Sequence, residues 1–283
     1  MRWWCSQLFE EWSWTPRPYL GVWTIVAGLW LSRHLSLRRW KARLGTSGVT
    51  TKQRWWFWLG VLAFWVSSDW PVGALGAGYL LMIHMGQYLL YTFAAAPLLL
   101  MSMPEWKLRA VVQRFHLHGT LRVLTRPLPA VLLANGVLIS THMPWTVDTV
   151  RVSQIGSFLL DIVWLLAGFL LWLPVISPME EFRVRSVPLR LVYLFGAAGL
   201  TPMIPGGIFT FARYPLFRTY EIAPRVGVSA LSDQQIAGAM MSAFGMPVIW
   251  IVAAVVWYRW AREEERNSPP IVRRRVVSGP DPG

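Results

Sequence analysis

Charge, cysteine and carboxylate are what this chain has least of. Only 14% of its 283 residues are charged, against about 25% in an ordinary soluble domain, which excludes a water-soluble globule. A single cysteine, Cys5, excludes a disulfide framework and any metal motif built on cysteine pairs. With 14 acidic residues against 27 basic ones, carboxylates are too scarce for a hard-cation site. There is no HExxH sequence and no nucleophile–base pair, so the chain is expected not to be an enzyme. No internal repeat is visible, and no polar stretch is long enough for a second fold. The start, MRWWCSQLFEEWSWTP, lacks a small-residue cleavage site and reads as an interfacial segment rather than a signal peptide.

What is present is apolar: 54% of residues, with 19 Trp and a mean hydropathy of +0.40. Runs near the length of about 20 residues that spans a bilayer fall at 18–33, 55–68, 73–96, 127–143, 155–177, 187–207 and 234–258. The expectation is an all-α, seven-helix transmembrane bundle over residues 18–260. A Trp-rich interfacial segment (1–17) precedes it and a basic tail (261–283), expected to be disordered, follows it. Pro97 is expected to end the straight part of the third span.

The net charge of +13 does not mark a nucleic-acid binder, because the 24 Arg and 3 Lys lie in short clusters between apolar runs. There they set orientation and meet anionic lipid headgroups at the inner face. The connections 33–54, 102–126 and 178–190 and the tail from 259 hold 21 basic residues, and the opposite face holds six. That bias places the N-terminus outside and the C-terminus in the cytoplasm.

An ionisable group at membrane depth costs several kcal/mol and is rarely accidental. His84 and Asp161 fall within spans, His142 closes the fourth, and Asp233, Gln234 and Gln235 open the seventh. In this topology all converge near the outer mouth, whereas His116 and His118 fall in a basic inner loop. His84, Gln87 and Tyr88 share a helix face by i, i+3, i+4 spacing. Met82, Met85, Met143, Met240 and Met241 occur near the same level, and histidine with thioether suits copper, especially Cu(I). Each residue also has a structural reading. His84 could bond a carbonyl, His142 could sit at the interface beside Trp145, and Asp161 could bond another helix. Ser232 to Gln235 has the spacing of a capping box.

Four stretches, HMGQYLLYTFAAAPLLLMSMP (84–104), LTRPLPAVLLANGVLISTHMP (124–144), LLAGFLLWLPV (165–175) and LSDQQIAGAMM (231–241), together resemble the CtaG-type assembly factors of caa-type cytochrome c oxidase. These are multispan proteins of bacterial plasma membranes. The resemblance implies a role in maturing the oxidase, with its copper centres as the plausible target and an oxidase subunit or other respiratory complex as partner. It implies a metal set of His84, His142 and Asp161, with Gln87, Tyr88, Asp233 and Gln234 as further contacts. Relatives usually carry histidine where this chain has Tyr88, Ser157 and Asp161. A copper or small-solute transporter is the alternative, but it would need a polar path to the cytoplasm, and few polar groups fall in the inner halves of the spans; broken helices or repeat symmetry would support it, and the sequence signals neither. A stable accessory subunit is the other.

Overall fold

The computed structural model describes residues 2–7, 9–46 and 48–267, and all regular structure among them is helical. The first four helices are α1 (Leu20–Leu44), α2 (Thr51–Ser68), α3 (Val72–Gly78) and α4 (Leu81–Met101). Then come α5 (Glu105–Arg114), α6 (His118–Leu124), α7 (Pro127–Thr141), α8 (Pro144–Val150) and α9 (Gln154–Ile176). The chain closes with α10 (Val187–Leu194), prolonged by a π-helical Phe195–Leu200, and with α11 (Met203–Phe211), α12 (Arg218–Glu221), α13 (Ala230–Ala243) and α14 (Gly245–Asn267).

Local chemistry sets many of these ends. Thr50 and Gln53 form a reciprocal capping box on α2, Ser153 accepts from the Gly156 N–H at the start of α9, and proline opens α7 and α8, where no N–H is missed. α13 starts on Ser229, whose hydroxyl accepts from the Ser232 N–H. Ser232 therefore lies inside the helix and is not its cap, correcting the sequence expectation.

Among the described residues, three helices are long and apolar enough to cross a bilayer: Leu81–Met101, Gln154–Ile176 and the Ala230–Asn267 rod formed by α13 and α14. The pair α6–α7, bent by 85°, makes a fourth if it counts as one span. The runs expected at 18–33, 55–68 and 187–207 are helical as α1, α2 and α10–α11, but do not meet that standard on their own. α1 continues to Leu44 past its charged cluster. Arg33 makes this tolerable: its buried guanidinium donates to the carbonyls of Ser102 and Gln53 and lies 4.4 Å over the Phe57 ring.

Two findings change the third span. The helix breaks at Tyr79–Leu80, between α3 and α4, so a broken helix is present where none was expected. Pro97 does not end α4. The helix widens into a π segment over Leu90–Ala95 and continues to Met101. Proline cannot donate to the preceding turn, and the Thr92 carbonyl instead accepts from Trp172 Nε1 at 2.8 Å.

The core is held by close helix approaches, as in membranes, where small residues let backbones meet. A Cβ on Gly168 of α9 would stand 2.7 Å from Ala96 Cβ and 3.0 Å from Thr92 Cα of α4. Gly206 of α11 and Gly238 of α13 meet in the same way. Within the N-terminal segment Trp4 and Cys5 are fully buried, whereas Trp3, Phe9 and Trp14 are exposed. Residues 261–267, expected in the tail, complete α14; the rest of the tail lies outside the described residues.

Candidate functional site

The end of α2, the start of α4, the end of α7 and the start of α9 meet at one end of the bundle, and the polar residues gather there. α4 carries His84, Gln87 and Tyr88, all buried, as their shared face requires. Its start is fixed from a distance. The Asp233 carboxylate accepts from the N–H groups of Leu81 (2.6 Å) and Met82 (2.9 Å). Asp233 thus caps α4 rather than α13, and occupies the positive end of the half-helix that the break creates. Gln234 is likewise structural in its contacts, bonding Leu216 N–H and the Tyr214 carbonyl.

His142 ends α7. Met143, ahead of Pro144, takes the extended conformation that a following proline imposes. The histidine is 1% exposed, while Trp145 is 75% exposed, so the interfacial placement beside Trp145 is corrected. His142 Nδ1 lies 2.8 Å from the Leu138 carbonyl. A carbonyl only accepts, so Nδ1 carries the proton and Nε2 presents its lone pair. That Nε2 has no partner, and neither ring nitrogen of His84 has one, among the described residues.

The two imidazoles meet edge-on, ring centroids 5.8 Å apart, inside an aromatic box. Trp164 stacks on His142 at 5.4 Å and meets His84 edge-on at 4.9 Å. Tyr88 lies 4.8 Å from His142 and Tyr220 lies 5.8 Å from His84. Trp164 is oriented by a bond from Nε1 to Thr141 Oγ1, and Tyr220 by one to the Gly76 carbonyl.

Asp161, one turn before Trp164 on α9, points into a different arrangement. One carboxylate oxygen accepts from Arg151 at 2.6 Å, the other from Trp4 Nε1 at 2.9 Å. Cys5 Sγ lies 3.9 Å away. Arg151 also donates to Gln87 Oε1, and Gln87 Nε2 donates to the Ser67 carbonyl, each at 2.6 Å. Both charges are fully buried, and the guanidinium lies 5.5 Å from the Trp164 ring. Ser157 bonds the Arg151 carbonyl.

The structure therefore brings His84, His142 and Tyr88 together and places Gln87 and Asp161 in an adjoining ion-pair network. Among the described residues, no three His, Cys, Asp or Glu side chains are grouped to hold one metal. Met85 is buried and Met143 is 53% exposed. The sequence does not signal Arg151, one of the six basic residues of the opposite face, or the box residue Tyr220. Trp164 had one usable signal, its i, i+3 spacing from Asp161.

The family model described as cytochrome c oxidase caa3 assembly factor (Caa3_CtaG) matches residues 34–263. The chain belongs to the cytochrome c oxidase caa3 assembly factor family. No curated protein and no solved structure matches it. The matched region of this assembly factor contains every residue of the histidine box and the Arg151–Asp161 pair, but not Trp4 and Cys5, which lie ahead of it.

Proposed function

We propose that this assembly factor serves copper-centre maturation without itself catalysing a reaction, taking Cu(I) as cargo between His84 and His142. One observation carries the reading: three buried imidazole nitrogens lack partners inside an aromatic box. Buried polar atoms are normally satisfied, and imidazole suits copper. Two nitrogen donors fit a low-coordinate soft ion and fall short of the four ligands that zinc takes in structural sites. The rings of Trp164, Tyr88 and Tyr220 enclose the histidine pair and keep it buried. Asp161 stays outside this set, because Arg151 and Trp4 use both its oxygens.

The charge bias of the connections supports a multi-pass protein of the bacterial plasma membrane with seven spans, the N-terminus outside and the C-terminus in the cytoplasm. The box then opens toward the outer half of the bilayer, the basic connections meet anionic lipid inside, and the partner is an oxidase subunit that receives copper. The test is the copper content of protein purified in detergent under reducing conditions, wild type beside His84→Ala and His142→Ala. Copper in the wild type and its loss in both variants, at unchanged protein level and with lowered oxidase activity in membranes, is the expected result. Copper-free wild type, or copper retained in either variant, overturns the assignment.

A further inference from the structure

The opposite end of the bundle has a feature that the histidine box does not use. A furrow of about 1110 Å³ runs between α14 and the segment from the end of α9 to the start of α10. It exceeds the roughly 300–1,000 Å³ of drug-sized sites. Its floor is apolar. Ile251, Val252, Val255 and Val256 supply one stripe of α14, and Val175 and Ile176 face them.

Its rim is charged, with Arg183, Arg185, Arg190 and Arg259 beside Glu180, Glu181 and Glu263. Partners consume two of the acids. Glu180 pairs with Arg183 at 2.8 Å, and Glu181 meets Arg109 at 3.5 Å and His118 at 3.3 Å. Arg190 is anchored on the Val184 carbonyl. Among the described residues, Arg185 and Arg259 have neither an ion-pair nor a hydrogen-bond partner. An adjoining hollow of about 360 Å³ shares Arg183 and Arg185 and adds Arg122 and Arg126.

Trp56 and Trp260 also line the furrow, and tryptophan marks the headgroup level of a membrane. From Arg259 to Ile251 the helix descends about 12 Å at 1.5 Å per residue, from cation to hydrocarbon depth. A soluble anion would use only the rim, an uncharged lipid only the floor, and a zwitterionic lipid would bring its own cation against the rim arginines.

We infer that this furrow is a docking site for an anionic phospholipid, its phosphate between Arg185 and Arg259 and an acyl chain along Ile251–Val256. The inference rests on the chain being a membrane protein and is independent of copper and of which face is cytoplasmic. It is tested on the full-length protein, delipidated in detergent and supplied with phosphatidylglycerol, phosphatidylcholine or inorganic phosphate. Retained lipid and the thermal midpoint are the readouts. Phosphatidylglycerol should bind and raise the midpoint more than phosphatidylcholine, whose choline ammonium offsets its phosphate, and inorganic phosphate should do neither. Arg185→Gln with Arg259→Gln should weaken that binding about twenty-five-fold, since each arginine near an anionic surface contributes roughly fivefold. Val255→Trp should fill the floor and weaken it with both arginines intact, and this variant decides the matter if the double one does not fold. Equal binding of phosphatidylcholine, equal stabilisation by phosphate, or wild-type affinity in Val255→Trp overturns the site.

Discussion

Two buried polar clusters lie side by side at one end of this bundle, and the fold treats them oppositely. Around Asp161, donors and acceptors are matched. Arg151, Trp4, Gln87 and the Ser67 carbonyl form a chain in which Arg151 Nε alone lacks a partner among the described residues. Around His84 and His142, three of four ring nitrogens are left open. Trp164 belongs to both, flanking the imidazoles and the guanidinium. An unmet buried polar atom costs about 1–3 kcal/mol, so an open cluster beside a closed one has been left open at a cost. The closed cluster holds the helices; the open one is free to take a ligand.

The largest effect should come from breaking the closed side. Asp161→Asn leaves the Arg151 guanidinium buried without its counter-charge, and removing one partner of such a pair costs about 3–5 kcal/mol. Thermal unfolding in detergent should show that loss, with a lower protein level in membranes. Asp161→Leu combined with Arg151→Met should recover most of it, because the charge and its partner go together. If the double variant is as unstable as the single one, the ion pair is not what makes this cluster structural.

Next in size is Asp233→Ala. It removes the acceptor for two backbone N–H groups at the start of α4, and cap losses run to about 0.5–2 kcal/mol. Because α4 carries His84 one turn later, copper retention should fall along with stability. Asp233→Asn, which keeps an acceptor, should restore part of both. A stability loss with copper unaffected would separate the cap from the box.

His84→Leu should do the reverse. Replacing an unpartnered imidazole by an apolar side chain removes an unmet polar group, so stability should change by less than about 1 kcal/mol or rise, while copper is lost. The thermal midpoint and metal content of one preparation check both halves. A large fall in stability would mean that His84 has a structural partner, and the contrast between the clusters would disappear.

These contrasts show what a linear chain can and cannot carry. Apolar runs and the i, i+3, i+4 spacing of His84, Gln87 and Tyr88 were legible because helix periodicity is local. So was the placement of His142 and Asp161 at the same end as His84. Arg151 was not legible as the partner of Asp161, since a pair ten residues apart across a turn has no periodic signature. Asp233 has the composition of a cap for its own helix, yet its acceptors are spent on α4, whose first residues are about 150 positions away. The extent of α1 was misjudged because a charged cluster looks like an end until tertiary carbonyls receive Arg33. In each case a long-range hydrogen bond decided what local chemistry left open.

The smallest effect should come from the thioethers, and it sharpens the comparison most. Histidine and methionine together suggest copper from sequence, but the methionines next to the two histidines stand apart from the box. Met143 is 53% exposed, outside the box. Met85 follows His84 directly, and adjacent helix residues do not face each other, so its thioether points to another side of α4. Met143→Leu should therefore change stability by less than about 0.5 kcal/mol, as exposed substitutions do, and neither it nor Met85→Leu should alter copper content. Lost copper in Met85→Leu would mean that α4 turns on loading and that the ligand set is two nitrogens and a sulfur. Retained copper in both leaves the open nitrogens of His84 and His142 as the whole of the donor set.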